Sequence, residues 1–164
     1  MKTPDARGVT LLELIVSLAI LAVLGTLALP SMHGRLARER LNGAAEALAA
    51  DLADARFEAA RRGAPLYVDL ALGTDWCWSV AAAPGCTCAL AQSCQLKAVR
   101  ALDHPGVRLV SGRNAVIDAQ GAADSPLGAT FDSSMNDSLR VDLLALGRAR
   151  VCSLHGPSKR YAPC

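Results

Sequence analysis

The chain has 164 residues, of which 52% are hydrophobic and 20% charged; this suffices for one cored domain plus a terminal segment and excludes a largely disordered chain. The formal net charge of +2 is too small to select an acidic or a basic partner. The charge is uneven, however, because the last 18 residues, GRARVCSLHGPSKRYAPC, carry Arg148, Arg150, Lys159 and Arg160 and no acid.

In chain order, the first element is an apolar run from Val9 to Leu29, broken only by Thr10, Glu13, Ser17, Gly25 and Thr26. As a helix rising ~1.5 Å per residue it is long enough to cross a hydrocarbon slab of ~30 Å. Lys2 and Arg7 in the preceding MKTPDARG predict a cytoplasmic N-terminus with the rest of the chain sent outward. No small-residue cleavage site followed by a polar start lies near Pro30, so the helix is expected to be retained. Glu13 stands out, because a carboxylate in a membrane segment is costly unless it is paired. Its place in the first helical turn recovers part of that cost from the helix dipole.

After Pro30 the pattern becomes amphipathic. Leu36, Leu41, Ala45, Leu48, Leu52, Ala55 and Ala59 recur every three to five residues, while Arg38, Glu39, Glu46, Asp51, Asp54, Glu58 and Arg62 fill the other faces. The spacing predicts one long helix to about Arg62, stopped by Gly63 and Pro65. Beyond it come short apolar runs bounded by Gly, Pro, Asp and Ser: PLYVDLAL, WCWSVA, QLKAVRAL, GVRLVS, NAVID, GATFD and SLRVDLLAL. They predict antiparallel strands packed on the helix, an α+β chain. Trp76 and Trp78, two residues apart, share a strand face, which suits core packing better than a ligand platform.

The six cysteines, Cys77, Cys86, Cys88, Cys94, Cys152 and Cys164, read as disulfides made in an oxidising compartment. Cys152 with Cys164 is the expected pair at the C-terminus, closing a short loop; the pairing of the other four stays open. The spacing of CTCALAQSC fits no standard zinc knuckle and no histidine lies nearby, so no metal and no cofactor are expected. The three histidines are scattered and no nucleophile motif is present, so a non-enzyme is expected.

RVDLLALGRARVC reads as a hairpin turning near Gly147, and a period of two puts Arg148, Arg150 and Cys152 on one face. A Cys152–Cys164 bridge would bring Lys159, Arg160 and Tyr161 back toward them. Forked guanidiniums suit phosphate oxygens and Tyr161 suits base stacking, so double-stranded DNA, bound without regard to sequence, is one expected partner. The alternative is that the arginines only solvate and blunt a strand edge.

The motif around Gly8, RGVTLLEL, resembles the class III signal of type IV pilins and pseudopilins. That resemblance implies a prepilin peptidase as partner, cutting between Gly8 and Val9 and methylating the new amine of Val9, where the family more often has Phe. It also implies that Glu13 pairs with the N-terminal amine of a neighbouring pilin subunit and that Pro30 is the helix-kinking proline. LAADLADARFEAARRGAPLYV, from Leu48 to Val68, is similar to the L-x-x-x-L-x-x-A-R-x-x-A-x-x-R pattern of GspH/FimT-type minor pilins, and GRAR to the G-R-x-R motif of DNA-binding FimT-type pilins.

The resemblance therefore implies a type IV pilin-like fold with a leader over residues 1–8, a transmembrane assembly segment over 9–29, an amphipathic continuation over 30–62 and a β-rich globular domain over 63–164. The expected role is a minor subunit of a type IV pilus or type II secretion system, with DNA binding for natural transformation. A GspH-like pseudopilin for protein export without DNA binding is the alternative. The expected place is the bacterial inner membrane, single-pass, with the globular domain in the periplasm, or extracellular once assembled into a pilus.

Overall fold

The computed structural model describes residues 10–124, 126–155 and 160–164, with backbone alone for residues 26–31. The leader, Gly8, Val9 and Lys159 lie outside the described residues, as does the side chain of Pro30. The chain divides into two compact units, Met1–Leu36 and Ala37–Cys164, and helix α1 (Leu11–Arg62) contributes to both.

In the first unit, Thr10 caps α1: its Oγ1 accepts the Glu13 N–H at 3.3 Å and its carbonyl accepts the Leu14 N–H at 3.2 Å. Thr10 and Glu13 thus occupy the T-x-x-E positions of a helix start, with the acid at the positive end of the dipole. The large apolar side chains from Leu11 to Leu24 are exposed on every side. No helix among the described residues is long and apolar enough to cross a membrane.

In the second unit, the apolar stripe of α1 buries Leu41, Ala44, Ala45, Leu48, Leu52, Ala55 and Ala59; Leu36, at the end of the first unit, is half exposed. The helix stops where Gly63 takes φ 61°, a left-handed conformation open to glycine, followed by Pro65. Eight strands follow among the described residues: β1 (Leu66–Ala71), β2 (Cys77–Ala81), β3 (Gln95–Arg100), β4 (Val107–Ser111), β5 (Ala115–Ile117), β6 (Leu127–Ser133), β7 (Ser138–Leu143) and β8 (Ala149–Ser153). They match the predicted apolar runs, and the end of the third run turns instead into a short 3₁₀ helix, Ala101–Asp103.

The strands form two antiparallel four-stranded sheets, ordered β3-β2-β1-β5 and β4-β6-β7-β8. Helix and sheets share one apolar core, whose buried residues all lie within Ala37–Cys164, as do all three disulfides. The second unit is therefore self-sufficient as a folding unit.

Trp76 and Trp78 stand at the centre of this core, both fully buried and stacked with ring centroids 5.4 Å apart. Each indole N–H needs a partner once buried. Trp76 Nε1 donates to the Val107 carbonyl at 2.8 Å, tying the first sheet to β4, and Trp78 Nε1 donates to Asp51 Oδ2 at 2.8 Å, tying β2 to α1. Phe131 meets both rings edge-on and His104 stacks on both. The pair is core packing, as expected. Cys77 bonds Cys88 and Cys86 bonds Cys94, stapling the loop between β2 and β3, so no cysteine is left as a thiolate for a metal.

Candidate functional site

The basic C-terminal segment is built on the β7–β8 hairpin. Alternation sends Leu139, Val141 and Leu143 into the core and leaves Arg140, Asp142 and, across the ladder, Arg150 on the outer face. Asp142 is paired with Arg150 in the register and lies between two guanidiniums, 2.6 Å from Arg140 Nε and 3.6 Å from Arg150 Nη2. Arg140 lies over Gly128 of β6, where a Cβ would come to 2.5 Å from its Nη2; the absent side chain leaves room for the guanidinium. Arg148, just before β8, is exposed.

The turn between the strands is tightly held. Leu144 N–H donates to the Arg148 carbonyl at 3.0 Å, Gly147 N–H to the Leu144 carbonyl at 2.8 Å, and Ala123 N–H to the Ala145 carbonyl at 3.1 Å. Gly147 is buried, with φ 70°, and a Cβ there would overlap the Gly121 carbonyl oxygen and approach Arg56 Cδ at 3.1 Å. The first residue of GRAR is thus a packing position, seated on the Asp118–Ala122 turn and on the aliphatic stem of a helix arginine.

Cys152 is bonded to Cys164, the pair expected from the sequence. The tail returns beside β8, where Ser153 N–H donates to the Ala162 carbonyl at 2.9 Å and Cys164 N–H to the Ser153 carbonyl at 3.1 Å. Arg160 and Tyr161 are held by the acids of α1. Arg160 Nη2 is 2.9 Å from Glu46 Oε1 on α1, and the Tyr161 hydroxyl donates to the same oxygen at 2.5 Å. Arg160 also faces Glu39, at 3.9 Å. The helix acids draw the tail toward them, and the Tyr161 ring is partly buried against the core. Burial, reinforced by the Glu46 carboxylate, pushes the Tyr161 phenol up to about 12.

Three residues of this surface were not identified from sequence. Arg140 and Asp142 read as ordinary outward strand positions, since nothing local says that they meet Arg150. Arg56 reads only as part of a helix pattern, and its contact with Gly147 and Gly121 joins positions far apart in the chain. The glycines themselves, Gly121 and Gly147, are the trace the sequence carries of it, and both take positive φ.

A long N-terminal helix whose second half shares a core with antiparallel sheet is the type IV pilin-like fold, the class of the minor pilins and pseudopilins. Two crystal forms of the type IV minor pilin FimU from Pseudomonas aeruginosa share it, with TM-scores of 0.55 and 0.52 at 18% identity. They cover 70% and 68% of this chain and 89% and 91% of the FimU chains. No curated protein sequence matches the chain. The family model for type II transport protein GspH matches residues 44–147, more than half of the chain, and the prokaryotic N-terminal methylation motif matches residues 4–29. The chain belongs to the GspH family.

Proposed function

We propose that this chain is a minor filament subunit, anchored in the bacterial inner membrane with its globular unit in the periplasm, that assembles through its N-terminal helix into a type IV pilus or a type II secretion pseudopilus. Prepilin peptidase cuts between Gly8 and Val9 and methylates Val9, and the greasy segment over residues 9–29 stays attached. The observation that carries this reading is the helix of the first unit, with apolar side chains exposed all round and one carboxylate, Glu13, in its first turn. Such a surface has to be covered by lipid or by other helices, and its acid is neutralised at least cost by the N-terminal amine of a neighbour. Pro30 and the helix around it allow bending during assembly. Mass spectrometry of the native protein is expected to find methylated Val9 at the N-terminus; any other start overturns the reading.

The outer arginines support a finer function, sequence-independent DNA binding for natural transformation. Arg148 and Arg150 are the primary contacts, with Arg140 beside them, while Arg160 and Tyr161 secure the tail and Lys159 stands in support. Two to three phosphate contacts predict weak binding whose logarithm falls with log salt at a slope of about −2 to −3. In a shift assay with residues 37–164, the parent is expected to retard DNA at low salt and the Arg148→Gln/Arg150→Gln variant is not. Equal behaviour of the two, or no retardation by either, removes the DNA function and leaves the filament subunit. The second reading, a pseudopilin for protein export without DNA binding, is favoured by one observation: Asp142 already occupies Arg140 and Arg150.

A further inference from the structure

The tip of the β7–β8 hairpin is apolar where a turn is ordinarily polar. Leu144, Ala145 and Leu146 are consecutive and exposed, Leu146 at 73%, directly before the exposed Arg148 and Arg150. Leu143 points into the core and Gly147 is buried against Gly121, so both ends of the tip are pinned. Three backbone hydrogen bonds hold the main chain of the turn that presents the leucines.

We infer that Leu144 and Leu146 form an apolar wedge that inserts between base steps while Arg148 and Arg150 hold the adjacent phosphates, so that the site takes distorted or unstacked DNA in preference to regular duplex. This rests on the DNA-binding reading of the same arginines and adds to it a structural preference. Proteins that bind DNA without reading sequence often pair cations on the backbone with an aliphatic side chain driven into a base step. Here the phosphate contacts are few and Asp142 competes for one of them, so a regular duplex is held weakly. The wedge supplies what the cations lack, and it does so most readily where the step is already weakened, because unstacking there costs least. An anionic bilayer would also accept leucine beside arginine. The tip offers only two large apolar side chains on one turn, however, and interfacial anchoring requires a broad apolar face.

The test uses residues 37–164 and labelled duplexes that are identical except for a central mismatch, with 2-aminopurine beside it. The parent is expected to bind the mismatched duplex about fivefold or more tightly than the perfect one and to raise the 2-aminopurine fluorescence. The Leu144→Ser/Leu146→Ser variant is expected to lose both the preference for the mismatched duplex and the fluorescence rise. A parent without preference, or a variant that keeps it, overturns the wedge and leaves DNA binding intact. Failure of the parent to bind any DNA removes the DNA reading itself. Leucine-dependent binding to phosphatidylglycerol vesicles without a mismatch preference overturns the wedge in favour of a lipid surface.

Discussion

Replacing Gly147 with alanine tests the central structural point of the basic hairpin, that its glycine is a packing position seated on Gly121. The backbone there has φ 70°, which costs a residue with a Cβ about 1–2 kcal/mol. The new methyl also overlaps the Gly121 carbonyl oxygen. That oxygen cannot swing away, since the turn holding it is closed by Gly121 N–H on the Asp118 carbonyl at 2.9 Å and by Asp118 Oδ1 accepting Gln120 and Ala122 N–H at 2.9 and 2.8 Å. Arg56 Cδ, at 3.1 Å, belongs to a flexible stem and can yield. Overpacking against backbone adds about 1–3 kcal/mol, giving about 2–5 kcal/mol in all. For a unit of this size that lowers the melting temperature by roughly 6–20 °C. Circular dichroism melts of residues 37–164 measure it, with Arg148→Gln as the surface comparator expected to stay within about 0.5 kcal/mol of the parent. If Gly147→Ala melts with the parent, the turn does not sit rigidly on Gly121.

Asp51→Ala is expected to cost about 1–3 kcal/mol in urea unfolding, because it orphans the buried Trp78 N–H, while the exposed Lys97 ammonium 3.4 Å away stays solvated; Asp51→Asn, which keeps an acceptor, should cost less, and equal losses would count against the hydrogen bond. Burial lowers the His104 pKa, with Asp103 partly opposing it. The unfolded chain therefore takes up its proton first as pH falls below about 6.5, and stability should decline there until the folded imidazole also protonates. Unfolding followed by the fluorescence of Trp76 and Trp78 is expected to show this decline in the parent and not in His104→Gln. Removing the C-terminal bridge with Cys152→Ser/Cys164→Ser is expected to cost about 3 kcal/mol. It should also free the tail, so that the Tyr161 phenol, held at about 12, titrates nearer its ordinary 10 in an ultraviolet titration. In the parent that raised value means stability is complete below pH 10 and is lost between pH 10 and 12; an unchanged titration in the variant would show that Glu46 holds Tyr161 without the disulfide.

Local features were legible in the sequence because neighbours along the chain encode them. The helix stop at Gly63 and Pro65, the strand runs, the alternation that puts Arg150 outward and Leu143 inward, and the pairing of two cysteines with no other cysteine near them all follow from periodicity and proximity. The apolar N-terminal run with Glu13 in its first turn belongs to the same class of signal.

The tertiary structure alone decided what depends on where distant segments meet. Four cysteines close in sequence allow several pairings, and only the path of the loop between β2 and β3 joins Cys77 to Cys88 and Cys86 to Cys94. The division into two sheets, the capture of Arg160 and Tyr161 by Glu46, the sharing of Asp142 between Arg140 and Arg150 and the seat of Gly147 on Gly121 are likewise contacts between elements. A side chain's periodicity states which face it occupies. Its charge partner is whichever group the packed core brings to that face, and this is settled only when the whole unit has folded.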